Sequence, residues 1–298
     1  MMRLRLLLSC SGMLLLSSLR LAAGDAPHQH RILLAQYQGP GGNRIIEVSA
    51  EGKLIWEHKP PSLCVIFQVL PNHHLLYGYG GNPSGVQEID REQKVVWSYV
   101  SRSPQVLGCE RLTNGNTLLA EQGPSQVLEV NPKGEIVSTV NVPTSEKPYH
   151  RQVRSIHRLR NGHVLAAIEA EGAARELDAN GKIVWETTGL ADVFEALRLP
   201  NGNTLVAGGT QKRVIEVTPA GKVVWELTSQ DVPELNLTWI TSLQTLNNGN
   251  FVIGNFLRGQ EGNGAHAFEI TREKKVVWKF ADHDMVKSAT MVRVLDKE

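Results

Sequence analysis

Tyr149, His150, Arg151 and Gln152 stand together in this chain, with Arg154 two residues beyond. A histidine between guanidinium groups has the parts for group transfer or hydrolysis. The imidazole attacks or moves a proton, and the arginines neutralise the charge that develops. His150 is the catalytic candidate on that reading. The plainer reading is a binding loop whose histidine lies on the surface. Asp192, Glu195, Trp239, Arg258, His266, Asp282 and His283 occur in similar settings elsewhere in the chain. With Tyr149, Arg151 and Gln152 they form, Asp282 aside, the candidate ligand-binding set. His150, His266, His283 and Asp282 are metal-ligand types, but their spacing selects no site and no metal is assigned. No nucleophile-elbow motif supports a serine hydrolase. Asn236-Leu237-Thr238 is a glycosylation sequon, which matters only in a eukaryotic source.

What positions these residues is a repeat. The phrase Glu-Val-Ser-Ala-Glu-Gly-Lys-Leu-Ile-Trp at residues 47–56 returns at 88–97, 129–138, 176–185, 216–225 and 269–278, with Ser138 replacing tryptophan once. The spacings are 41, 41, 47, 40 and 53 residues, the period of a propeller or solenoid. A second phrase, clearest as Arg198-Leu-Pro-Asn-Gly-Asn-Thr-Leu-Val-Ala207, alternates with the first. Asn-Gly between two apolar β-prone runs makes a tight hairpin, because a type I′ turn needs positive φ at both central residues. Each unit therefore holds two hairpins, the content of one four-stranded blade.

The expected fold is all-β: a six-bladed β-propeller of four-stranded antiparallel blades. Ala289–Leu295 reads as a strand without a following partner, and His30–Ala35 as a strand without a preceding one. Joining them in one blade closes the ring and removes two exposed edges. Both tight turns of each blade fall on one face. The connections of irregular length fall on the other, and they carry the candidate residues. A scaffold with one plain and one variable face usually works through the variable one.

The repeats Leu199–Val206 and Asp178–Trp185 resemble those of quinoprotein-like propellers and of the propeller of bacterial arylsulfate sulfotransferases. The likeness spans nearly all of the chain after its first two dozen residues. It implies the fold. For activity it implies a histidine that carries a sulfuryl group beside neutralising arginines, a pattern that His150, Arg151 and Arg154 resemble without an extended matching motif. The large extra N-terminal domain of that family is lacking. Quinoprotein dehydrogenases stack pyrroloquinoline quinone on an adjacent Cys-Cys pair, usually in eight blades. This chain has six repeats and no such pair, so no cofactor is expected.

Residues present in every blade read as structural: the six repeat glutamates, the five tryptophans of the first phrase, and Arg111, Arg158 and Arg198, expected to pair with neighbouring glutamates. Residues 1–24 have the layout of a secretory signal peptide, with arginines, an apolar run and small residues through Gly24. Residues 25–298 form the single propeller domain. Removing residues 1–24 moves the net charge from +1 to −2, with no basic stripe, so nucleic acid is not an expected partner. No later stretch is apolar enough to span a bilayer. Cys64 and Cys109 sit in adjacent inner strands with an offset of about 10 Å, too far for a comfortable disulfide. The expected protein is a secreted or periplasmic monomer that binds a small molecule, carbohydrate or protein on its variable face. The alternative is an enzyme using His150. Convergent histidine, arginine and carboxylate groups in a narrow pocket would favour the enzyme, and a broad aromatic face a partner surface.

Overall fold

The computed structural model describes residues 30–145 and 148–296. The expected signal segment, residues 1–24, lies outside them. Six four-stranded antiparallel sheets are arranged as a ring, each built from consecutive strands except one. In that one, Ala289–Val294 pairs with Ile32–Gln36, with Ile32 opposite Val294 and Leu34 opposite Val292. The ring is closed as the chain ends implied, by a strand from the C-terminus on the inner side of the N-terminal blade.

Most of the tight turns use glycine, while His73, Gln93 and Lys274 take the positive φ in the other three. Gly115, Gly162, Gly202 and Gly249 hold positive φ in the Asn-Gly turns, and Gly52, Gly134, Gly181 and Gly221 hold it in the second turn. In all six blades the repeat glutamate faces the first phrase's last residue across a strand pair, as Glu216 faces Trp225. A register shift follows each glutamate.

That geometry sends the carboxylate toward the next blade. Glu88, Glu129 and Glu176 accept from Arg111, Arg158 and Arg198 of the following blade at 2.7, 2.6 and 2.6 Å. Glu47 meets Arg91, and Glu216 meets Arg272, in the same way. The tryptophans fill the wedge beside these pairs. Trp56, Trp97 and Trp225 donate from Nε1 to backbone carbonyls of the next blade. The guanidiniums of Arg91, Arg111 and Arg198 lie over the rings of Trp56, Trp97 and Trp185. The repeated residues are thus the mortar between blades. Trp185 and Trp225 are half-buried rather than buried.

Cys64 and Cys109 are free and buried. Burial pushes the Cys109 thiol up to about 12 and that of Cys64 higher still. Among the described residues no helix is long and apolar enough to cross a membrane.

Candidate functional site

The loop face separates the candidate residues into three groups. Tyr149 and His150 are exposed in a short 3-10 turn, with their rings edge-on at 6.1 Å. Arg258 is exposed as well.

A second group is locked in ion pairs. Arg151 binds Glu169 at 2.8 Å and also Asp192, while Arg154 binds the other oxygen of Glu169. Asp192 sits at positive φ and accepts from Thr210 too. Gln152 is buried and accepts from the Gly123 N–H at 2.7 Å. Trp239 is half-buried against Phe194 and Phe256.

A third group is interior. His266 is fully buried, 4.8 Å from the His283 ring. Burial, and then His283, lower its pKa to about 4. Glu195 is buried and lines a cavity on the ring axis.

The axis holds a cavity of about 460 Å3 lined by all six inner strands. Its construction follows the repeat. The residue two places before each repeat leucine faces inward, which gives Gln68, Glu110, His157, Leu197, Gln244 and Arg293 in ring order. An inner strand has no partner on its axial side, so its N–H groups there need acceptors. Side chains of the preceding blade supply them. Gln68 accepts from Arg111 N at 2.7 Å, Glu110 from Arg158 N at 2.7 Å, and Gln244 from Val294 N at 2.8 Å.

Leu197 cannot do this. In its blade Glu195, two residues earlier, accepts from Leu243 N at 2.6 Å. The other oxygen of Glu195 takes Arg293 at 2.7 Å. His157 lies between two acids, 3.9 Å from Glu110 and 3.9 Å from Glu195. Burial disfavours its charged form, but the two glutamates outweigh burial and raise its pKa. Its Nε2 and the buried Ser155 hydroxyl have no hydrogen-bond partner among the described residues. Apolar side chains such as Ile66, Leu243 and Met291 supply the rest of the wall.

The inner strands bulge between Val106 and Gly108, Val153 and Ile156, Val193 and Ala196, and Ile240 and Ser242. A bulge re-aims the side chains inside it. Those are Leu107, Arg154, Ser155, Phe194, Glu195 and Thr241, of which all but the half-buried Arg154 are buried. The Arg154 guanidinium lies 4.6 Å over the Phe194 ring. Ser155 and Glu195 line the cavity and the other four do not, while Val69, Thr245 and the exposed Asp296 line it at the tight-turn end. The cavity therefore opens on the plain face.

His157, Glu110, Arg293, Gln68 and Ser155 escaped the sequence reading, because each lies in a regular strand rather than an irregular loop. Stacking the six copies exposes the signal: the place two before the leucine holds a different side chain in most blades, and three of the six are titratable.

Six four-stranded blades around a lined axis define the class, a six-bladed β-propeller. Residues 125–264 match a PQQ-repeat family model described as outer membrane protein assembly factor BamB. Over this stretch the chain is similar to that family.

Among solved structures, it resembles a protein of unknown function from Bacteroides caccae, at 24% identity and a TM-score of 0.79. That match covers 90% of this chain and 100% of the other. It also resembles a catalytically inactive virginiamycin B lyase from Staphylococcus aureus, solved with quinupristin, at 10% identity and a TM-score of 0.59, covering 86% of each chain. The WD40 propeller domain of Doa1 follows at 14% and 0.55, covering 77% of this chain and 87% of that one. At these identities the likeness is one of fold. No curated protein matches the chain.

Proposed function

We propose that this protein is an exported binding propeller that takes a small molecule into its axial cavity, while its loop face offers Tyr149, His150 and Arg258 to a ligand or partner. One observation carries the reading: a half-apolar cavity with a few converging polar groups, two of them without partners, is the make-up of a small-molecule site. The signal-peptide layout of residues 1–24 supports export, and so does the match to a family described by an outer-membrane assembly factor.

Sulfuryl transfer at His150 has little behind it. Its intended helpers, Arg151 and Arg154, already neutralise Glu169 and Asp192. We assign no quinone, since the sequence has no adjacent cysteine pair. A second, enzymatic reading rests on His157, which has carboxylates on both sides as an acid–base catalyst does. The Ser155 hydroxyl makes no hydrogen bond to that histidine, so a Ser–His nucleophile is not set up.

The test is a thermal-shift screen of the mature protein, since a ligand that binds the native state raises its apparent stability. The same screen is run on Leu197→Trp, which fills the cavity, and on His150→Ala. Hits should vanish in the first and persist in the second. The opposite pattern places the site on the loops.

A further inference from the structure

We propose that the axial cavity is selective for a small organic cation, an amine with an apolar body whose ammonium group docks on Glu110 between Gln68 and His157. The inference rests on the cavity being a binding site and adds the chemical class of its occupant.

The argument is one of unmatched charge. Deep in the cavity there are two carboxylates and one guanidinium. Glu195 has both oxygens engaged, by Arg293 and by Leu243 N. Glu110 has one oxygen engaged, by Arg158 N, and the other meets only His157 at 3.9 Å, beyond hydrogen-bond reach. Asp296, at the mouth, is held by His30 and by Arg31 N. The ring is therefore one positive charge short whenever His157 is neutral. A carboxylate in a half-apolar cavity attracts a cation far more strongly than one in water, and it repels an anion.

The neighbours fit an ammonium head on an apolar body. Gln68, beside Glu110 in the ring, and the unpartnered Ser155 hydroxyl are polar, while Ile66, Ile156 and Met291 give the body an apolar wall. A neutral polyol finds hydrogen bonds here but leaves the charge unmatched.

His157 makes the site pH-dependent. The charged groups that face it are Glu110, Glu195 and Arg293. Protonated, it supplies the missing charge itself and competes with the ligand. Amine affinity should therefore rise as pH rises through its titration.

The experiment is calorimetric titration of the mature protein with arylalkyl amines, beginning with 2-phenylethylamine, and with the matched alcohols and carboxylates. At pH 8.5 an amine should bind at least tenfold more tightly than its alcohol, about 1.4 kcal/mol. Glu110→Gln keeps the acceptor for Arg158 N and should remove that advantage without moving the denaturant midpoint by much. At pH 5.5 the advantage should shrink in the parent and persist in His157→Gln.

Equal binding of alcohol and amine, or a preference for the carboxylate, overturns the cation claim. If Leu197→Trp still blocks that binding, the cavity reading survives. Binding of no probe in any class overturns both.

Discussion

His266 and His157 have pKa values shifted in opposite directions, and the difference is measurable. His266 is buried and neutral, with its pKa lowered to about 4. An unfolded histidine titrates near ~6.5. Between those values the unfolded chain binds the extra proton, so the contribution is whole above ~6.5 and is lost as pH falls toward 4. A shift of that size corresponds to about 3 kcal/mol. Urea midpoints from pH 7 to 4 should fall, and His266→Leu should flatten that fall. An unchanged acid limb in the variant would place the sensitivity elsewhere. His157, with a raised pKa, contributes below ~6.5, and its share is lost as pH climbs through the raised value. Neither role was legible from the sequence. A histidine in a loop and a histidine on the axis look alike until the fold decides what surrounds them.

Blades and their connections answer differently to substitution. His150 is exposed, and His150→Ala should stay within about 0.5 kcal/mol of the parent. Trp225 packs between blades and donates to the Arg272 carbonyl at 2.7 Å. It is half-buried, so Trp225→Ala should cost about 2 kcal/mol rather than the larger value of a fully buried aromatic. Denaturant midpoints decide, and equal losses in the two variants would make His150 part of the packing.

Glu195→Ala should cost more, about 3–5 kcal/mol, because it strands Arg293 in the cavity and orphans Leu243 N. A stability close to the parent's would mean that the Glu195–Arg293 pair is solvated.

The blades were readable because a hairpin is a local device: Asn-Gly and the alternating apolar run sit within ten residues. The cavity was not, because each blade lends it only one or two side chains. Those residues are about 40–50 positions apart, and only the ring's register brings Glu110 and His157 together. The loops of irregular length drew the candidate residues to the loop face, whereas Glu195 lines the axial cavity. The bulges that bring Ser155 and Glu195 into the cavity wall have no marker in the sequence.

Closure and cavity are one property of the whole molecule, because Ala289–Val294 is both the strand that completes the ring and the one that carries Arg293. Deleting residues from 289 onward should expose two strand edges, break the ring and abolish ligand binding together. A truncated chain that stayed monomeric and melted like the parent would contradict the closure. Export should remove residues 1 to about 24, which intact-mass measurement of exported protein checks. A mature chain beginning at Cys10 with added lipid mass would mean a membrane anchor instead.

The central claim is that a ligand enters the axial cavity beside His157. Ring-proton NMR of the histidines follows it directly, with the His157 signal identified by its loss in His157→Gln. Saturating amine should shift the His157 resonance and lower its apparent pKa, and leave His150 where it was. A ligand that moves His150 and leaves His157 untouched would contradict the account.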